Sequence, residues 1–433
     1  MEITIDTLFT YGRKGLFLFL LFTTVLQIIP AAHAEDINYF TYCTILVTGF
    51  WMLVSVYKIN RGEEVVFNAM TLYFFYRLMN ILFVRGFPGG FATGYIILVN
   101  TLIGGCFYHL FYHNENKTVF RWCINLLVAL AVFEACIGAS QVMFGVPYFE
   151  HLVGEELHSF SRNYFAYIIP GASKSTVLGS GTFRHFNDLG SFLVITFPIL
   201  YAYWWESDRK WVLIALLINF MGIVLTFSRG ALIATVIMSC ILYFNFTKGR
   251  WLKMGLVFGL GLITFAVVAP LLTTYANETG NAGIRYNTWA LMWEHAQTDY
   301  RMLIFGWGEN YFRDEVIYWG TGLWIMNNTH NTFLQVFLEN GVVGFLIFGL
   351  ASGQFIFKSI QNKNIWSFAG IAMIVGFGFT QFFDHAFYNF NGAVFFAMLG
   401  VLQMSKEGPF YAFSKPDVLV KEAEKETKEE VTV

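Results

Sequence analysis

The polar stretch 273–340 holds three arginines, ends at Thr329-His330-Asn331 and runs on into Glu339-Asn340-Gly341. A guanidinium grips phosphate oxygens with a planar fork and keeps its charge, and an imidazole exchanges a proton near neutrality. Such groups suit a reaction in which an anionic leaving group departs while a hydroxyl gives up its proton. Residues 284–293 have helical character, so Arg285, Trp289 and Trp293, spaced i, i+4 and i+8, share one face. That strip has two readings. It could hold a phosphate on the guanidinium and a sugar or prenyl group on the indoles, or it could be an interfacial helix with a tryptophan belt.

Asn327-Asn328-Thr329 supplies capping side chains for a helix that begins near His330-Asn331, continues through Glu339 and ends or bends at Gly341. In the first turn of that helix, His330 would lie at the positive end of the dipole, which favours the neutral imidazole a general base needs. The other reading is a local cap. Gly306-Trp307-Gly308 reads as a tight turn; without a third glycine and a strand-helix unit it is not a dinucleotide site.

The elements that must position these residues are membrane helices. The chain is 56% hydrophobic, 19% aromatic and 13% charged, too apolar for a soluble protein of 433 residues. Apolar runs at 15–31, 39–57, 66–84, 91–112, 119–144, 188–205, 211–227, 230–246, 252–272, 342–357, 365–383 and 387–404 predict an all-α, polytopic protein of about 12 spans. With the N-terminus inside, the inner segments take most of the positive charge, including Arg13, Lys14, Arg209, Lys210, Lys358 and the five tail lysines. Both termini are then cytoplasmic, and the outer side carries Arg85, Arg162, Lys174, Arg184, Arg229, Arg285, Arg301 and Arg313. Arginine kept where positive charge is disfavoured points to an anionic ligand; snorkelling anchors are the plainer alternative.

Residues 1–405 form one membrane domain with outer inserts at about 145–187 and 273–340, the larger one before the tenth span, and 406–433 form a charged cytoplasmic tail. Arg13-Lys14, an apolar stretch and Ala32-His33-Ala34 have the outline of a secretory signal, but the charge alternation fits an uncleaved first helix. The five cysteines lie in apolar stretches without metal-ligand spacing, and no Asp-x-Asp pair or outer carboxylate cluster is present to hold a divalent metal. No metal, cofactor or nucleic acid is expected. Arg77, Glu134 and Gln141 interrupt apolar spans; the last two, seven residues apart on one face, either line a glycan-accepting cavity or pair with a neighbouring helix. Asp188 and Asp384-His385 read as caps or boundary residues.

Four motifs in order resemble the bacterial O-antigen ligase and polysaccharide polymerase superfamily: Leu225-Thr226-Phe227-Ser228-Arg229-Gly230-Ala231, Arg285 with Trp289, Gly306-Trp307-Gly308, and His330-Asn331-Thr332-Phe333-Leu334-Gln335 leading into Glu339-Asn340-Gly341-Val342-Val343-Gly344. The resemblance implies a bacterial inner-membrane enzyme, active on the outer face, that moves glycan from an undecaprenyl diphosphate carrier to a sugar hydroxyl. It implies Arg229 and Arg285 on the diphosphate and His330 as base. Arg85 and Arg184 join them only by predicted side, and Trp289, Trp293, Asn331 and Glu339 are candidate glycan or lipid contacts. Expected partners are the carrier-linked glycan, its acceptor, membrane lipids and a chain-length regulator protein. Polymerisation of O-antigen, capsule or exopolysaccharide units is the leading expectation and ligation to lipid A core the alternative. A lipid-linked oligosaccharide flippase is the rival from another class, but the motifs lie at one face without a matching half.

Overall fold

The computed structural model describes residues 5–26, 51, 53–55, 69–83, 105, 108, 117–144, 159–160, 176–183, 185–246, 281–308, 330–362, 364–382, 390–403 and 413. The helices are α1 (Ile5–Leu26), α2 (Ala69–Phe83), α3 (Lys117–Phe144), α4 (Phe186–Ser207), α5 (Lys210–Leu225) and α6 (Arg229–Phe246). They continue as α7 (Asn281–Ala296), α8 (Tyr300–Phe305), α9 (Thr332–Asn362), α10 (Ile365–Thr380) and α11 (Phe390–Gln403). Between α3 and α4, β1 (Ser159–Phe160) pairs antiparallel with β2 (Thr176–Val177), Ser159 opposite Val177.

Helices α3, α4 and α9 are long and apolar enough to cross a membrane, and α5, α6 and α10 include shorter apolar helices. Seven expected spans, at 66–84, 119–144, 188–205, 211–227, 230–246, 365–383 and 387–404, coincide closely with α2 to α6, α10 and α11. The first helix starts earlier than its apolar run, at Ile5, and the span expected at 342–357 is the second part of a longer helix. The spans at 39–57, 91–112 and 252–272 lie almost wholly outside the described residues, as do Ala32-His33-Ala34, Asp384-His385 and nearly all of the tail.

Helix α4 is the axis of the bundle. It packs on α5, α6 and α10, with α3 beside α5, α1 beside α3, and α2 against α9. Large apolar side chains point the other way: Trp211, Ile214, Leu217 and Met221 form an exposed stripe on α5, and Leu346, Leu350, Phe357 and Ile360 do so on α9. A helix apolar on its buried and its exposed sides fits a hydrocarbon environment. At the end of the bundle where α4 finishes and α10 starts, Glu206 accepts from the Trp366 indole and from the backbone amide of Phe413. The Phe413 ring lies 4.0 Å from that of Tyr203, among Phe120 and Trp366.

Helix α9 breaks at Gly341, where φ is 67° and ψ −175°. A break there takes the carbonyls of Leu338, Glu339 and Asn340 out of the helical ladder. Each finds a donor elsewhere: Trp307 N (2.9 Å), Gly308 N (3.0 Å) and the Tyr76 hydroxyl (2.8 Å). Tyr76 also lies 3.0 Å from the Phe305 carbonyl, which Asn80 approaches at 2.8 Å, so α2 clamps the end of α8 onto the break. The two glycines make the contact possible. Gly306 has φ 90°, and a Cβ there would strike the Glu339 carbonyl, while a Cβ on Gly341 would strike that of Ile304.

Gly306→Ala therefore combines a strained backbone with a steric clash and is expected to cost on the order of 3 kcal/mol. Gly349→Ala, in the same α9 with open space around its Cβ, should stay within about 1 kcal/mol of the parent and in the stabilising direction. Thermal unfolding midpoints of the two variants in detergent check this. Equal midpoints would contradict the docked turn.

Candidate functional site

Helices α4, α6, α9 and α11 all begin at the end of the bundle opposite Phe413, where α5 and α10 finish. Three contacts define that end. Asn391 Nδ2 donates to the Asp188 carbonyl (2.9 Å), joining the starts of α11 and α4. The Thr332 amide and hydroxyl donate to Gln381 at 2.8 and 2.9 Å, joining the start of α9 to the end of α10. Gly179 N donates to the Leu225 carbonyl (3.2 Å), closing the end of α5.

Arg229 owes its position to a turn of three residues. Thr226 caps α5, its hydroxyl donating to Ile223 O (2.7 Å); Phe227 takes a left-handed φ of 54°; and Ser228 O accepts from Leu232 N (3.0 Å), starting α6. Arg229 is thus the first residue of α6, half-buried, at the positive end of its dipole. A Cβ on Gly190 would meet Ala231, Ser228 and Thr226 at 3.1 to 3.4 Å, so α4 approaches the turn as closely as a glycine permits. On α6, Met238 lies against Gly376 of α10. Nine residues back from Met238, Arg229 stands about 13 Å further toward the end where α10 finishes.

His330 is half-buried with φ 44°, in the left-handed region. This corrects the expectation that it lies in the first turn of its helix. The cap is Asn331, whose Oδ1 accepts from Leu334 N (3.1 Å), and His330 precedes it. An asparagine side chain competes well for a free N-terminal amide, so the helix starts at Thr332, after the His330-Asn331 pair. Left-handed backbone is several-fold enriched in histidine yet remains uncommon, and it marks a conformation imposed by its surroundings. The residues that follow are held in place: Asn331 caps the helix, Thr332 donates to Gln381, and the Phe333 ring lies 4.5 Å from that of Phe382.

Helix α7 confirms the helix expected over 284–293 and extends it. Its buried stripe is Thr288, Met292 and Ala296, the last two packed with Leu338, Leu334, Phe337 and Trp307. Trp289 and Trp293 flank that stripe. Trp293 is 46% exposed, with its ring 5.8 Å from Phe337. The helix carrying Arg285 is thereby seated on the helix led by His330. The Arg285 side chain, Arg85 and Arg184 lie outside the described residues.

Glu339, a candidate glycan contact by sequence, is only 1% exposed and its Oε1 accepts from Gln335 Nε2 (2.9 Å). Arg301 is exposed beside its neighbour Tyr300. Arg77 is buried with its guanidinium 5.8 Å from the Tyr73 ring centroid. Asp188 is in the first turn of α4 and the cap is His185, whose Nδ1 accepts from Asn187 N (3.1 Å). Sequence reasoning passed over the Tyr76 and Asn80 clamp, although two polar residues four apart in an apolar helix were a usable signal. It also passed over Gln381, which has no motif around it.

Glu134 and Gln141 pair with the loop at 180–182 and not with a neighbouring helix, which corrects the expected pairing. Glu134 Oε2 and Oε1 accept from the Thr182 amide and hydroxyl, both at 2.8 Å. Gln141 Oε1 accepts from Ser180 N (2.9 Å) and Gly181 N (2.8 Å), and its Nε2 donates to Gly181 O (2.7 Å). Residues 178–183, expected in an outer insert, are buried against α3. Among the described residues no group of three or more His, Cys, Asp or Glu gathers as a metal site. No curated protein matches the chain. A family model described as O-antigen ligase matches residues 214–349, the segment from α5 through the first part of α9 that contains Arg229, Arg285 and His330. Residues 214–349 of this helical chain, in which α3, α4 and α9 are long and apolar enough to cross a membrane, are thus similar to the O-antigen ligase family.

Proposed function

We propose that this protein is a glycosyltransferase that takes glycan from an undecaprenyl diphosphate carrier at the outer face of the bacterial inner membrane and joins it to a sugar hydroxyl, polymerising repeat units. The observation that carries the reading is that the matched segment holds Arg229 at the first position of α6, Arg285 in α7 and His330 directly before the Asn331 cap of α9. The family supports a glycan-transferring membrane enzyme; the residue roles, the carrier and the choice of polymerase are our own reading.

The acceptor oxygen attacks the anomeric carbon as the bond from that carbon to the diphosphate oxygen breaks. The electron pair leaves with undecaprenyl diphosphate, and the acceptor proton passes to His330. Direct displacement inverts the anomeric configuration. Stabilising charge on the departing diphosphate is the main catalytic demand. Arg229 and Arg285 meet it with guanidinium forks, assisted by Arg85 and Arg184, where nucleotide-sugar enzymes use a metal. Trp289, Trp293 and Asn331 remain candidate glycan or lipid contacts, whereas the burial of Glu339 suits it to holding the start of α9. The positive ends of α4, α6, α9 and α11 at one face add to the attraction for an anion.

His330→Ala and Arg285→Ala, placed in a deletion strain, should each lower transfer by about 10²- to 10⁴-fold. Surface glycan profiles are the measurement: single repeat units on lipid A identify a polymerase, and full-length glycan left on its carrier identifies a ligase. Normal glycan from both variants would remove the catalytic assignment, and carrier-linked glycan retained on the inner leaflet would favour a flippase. Transfer by purified protein is expected to continue in excess EDTA. Loss of activity restored by magnesium or manganese would refute metal independence.

Labelling tests the topology. A cysteine replacing exposed Asp208, in a background lacking the native cysteines, should be blocked only by a reagent that reaches the cytoplasm. One replacing Thr298, exposed after α7, should be blocked by an impermeant reagent applied outside. The reverse pattern would place the site on the inner face.

A further inference from the structure

Glu134 is fully buried in an apolar helix, and Gln141 is buried two turns further on. Packing alone would be served better by leucine at both positions, since a carboxylate away from water is costly unless well hydrogen-bonded. What the two side chains do satisfy is an irregular stretch of backbone. They supply three acceptor atoms and one donor to Ser180, Gly181 and Thr182. Gly181 has φ 64°, and a Cβ there would collide with Glu134, while a Cβ on Gly179 would lie 2.8 Å from the Gly138 carbonyl. The loop is therefore set tightly into α3. Glu134 lies ten residues before the end of α3 at Phe144, so the loop dips about 15 Å along that helix.

The other side of this loop touches the turn that presents Arg229. Gly179 N donates to Leu225 O, the last carbonyl of α5 before Thr226-Phe227-Ser228-Arg229. Past the loop, Leu189 packs on Gly138, and Gly190 closes against Thr226, Ser228 and Ala231. Direct contacts thus run from Glu134 and Gln141 through residues 179–182, and from Gly138 through Leu189 and Gly190, to the turn before α6 and its first residues.

We infer that Glu134 and Gln141 are positioning residues: through the buried loop 179–182 they set the turn that aims Arg229 at a diphosphate. This rests on the diphosphate role given to Arg229 under the proposed function. It adds two residues of α3, outside the matched segment, to the determinants of anion binding.

The test is the affinity of the purified full-length protein for inorganic pyrophosphate, measured by calorimetry in detergent, with unfolding midpoints recorded for every variant. Gln141→Leu, which removes the hydrogen bonds to the loop, should weaken binding by about tenfold, as a displaced binding group does. Arg229→Lys should do the same by losing the fork. If Gln141 acts through Arg229, the double variant is no weaker than the weaker single; independent effects would multiply to about a hundredfold. Glu134→Gln, which still offers an acceptor to the Thr182 amide and a donor to its hydroxyl, should bind within about twofold of the parent, and Glu134→Leu should not. Should Gln141→Leu or Glu134→Leu fail to fold, Thr182→Val removes only the hydroxyl contact and should weaken binding by about threefold.

Parental affinity in Gln141→Leu, or in Thr182→Val where that variant replaces it, beside a defective Arg229→Lys overturns this inference alone. So does a multiplicative double variant. Parental affinity in Arg229→Lys, or no pyrophosphate binding by the parent protein, removes the diphosphate role of Arg229 and this inference with it.

Discussion

In hydrocarbon a backbone amide or carbonyl without a partner costs several kcal/mol, so a chain that crosses a membrane keeps regular helices or fills each break from within the protein. Among the described residues, regularity breaks at three places beside the candidate site, and hydrogen bonds from distant segments reach all three. The carbonyls released at Gly341 meet Trp307, Gly308 and Tyr76. The loop 180–182 meets Glu134 and Gln141. At the turn after α5, Leu225 O meets Gly179, and the Thr226 amide lies within reach of the carbonyls of Gly222, Ile223 and Val224. The positions of Arg229 and of the α8 turn follow from how these breaks are satisfied.

Concentrating the breaks at one end divides the bundle into unlike faces. At that end four helices begin, their dipoles directed outward, with Arg229 in the first turn of one and His330 ahead of another. The opposite end is closed by side chains: Glu206 joins α4 to Trp366 and Phe413, and the Phe413 ring lies among Phe120, Tyr203 and Trp366. Anion chemistry fits the first end, where positive potential is built into the backbone.

Much of the helical layout was legible because a membrane span is written as composition: the apolar runs at 119–144, 188–205, 211–227, 230–246 and 365–383 needed no partner to be seen. Gly341 was legible as a bend and Gly306-Trp307-Gly308 as a turn, since glycine at such points signals backbone angles that other residues resist. That each completes the other was not legible, because the contact joins residues more than 30 positions apart through backbone atoms, which carry no sequence signature. His330 stood out by type, but its place ahead of the cap depended on Asn331 taking the Leu334 amide. Glu339 was a candidate glycan contact by sequence; the fold of α9 buries it, with its Oε1 accepting from Gln335.

By itself the amino-acid sequence determined the solvent, the helical class, the motifs and the kinds of group able to handle phosphate and protons, since these depend on residue type and local spacing. Tertiary structure alone decided that Glu134 and Gln141 serve a buried loop, that Tyr76 and Asn80 secure a broken helix, and that α7 rests on the helix led by His330. The reason is physical. Hydrogen bonding and packing between distant segments are settled by which unsatisfied groups the folded chain brings within about 3 Å of one another, and that geometry exists only after the helices have assembled.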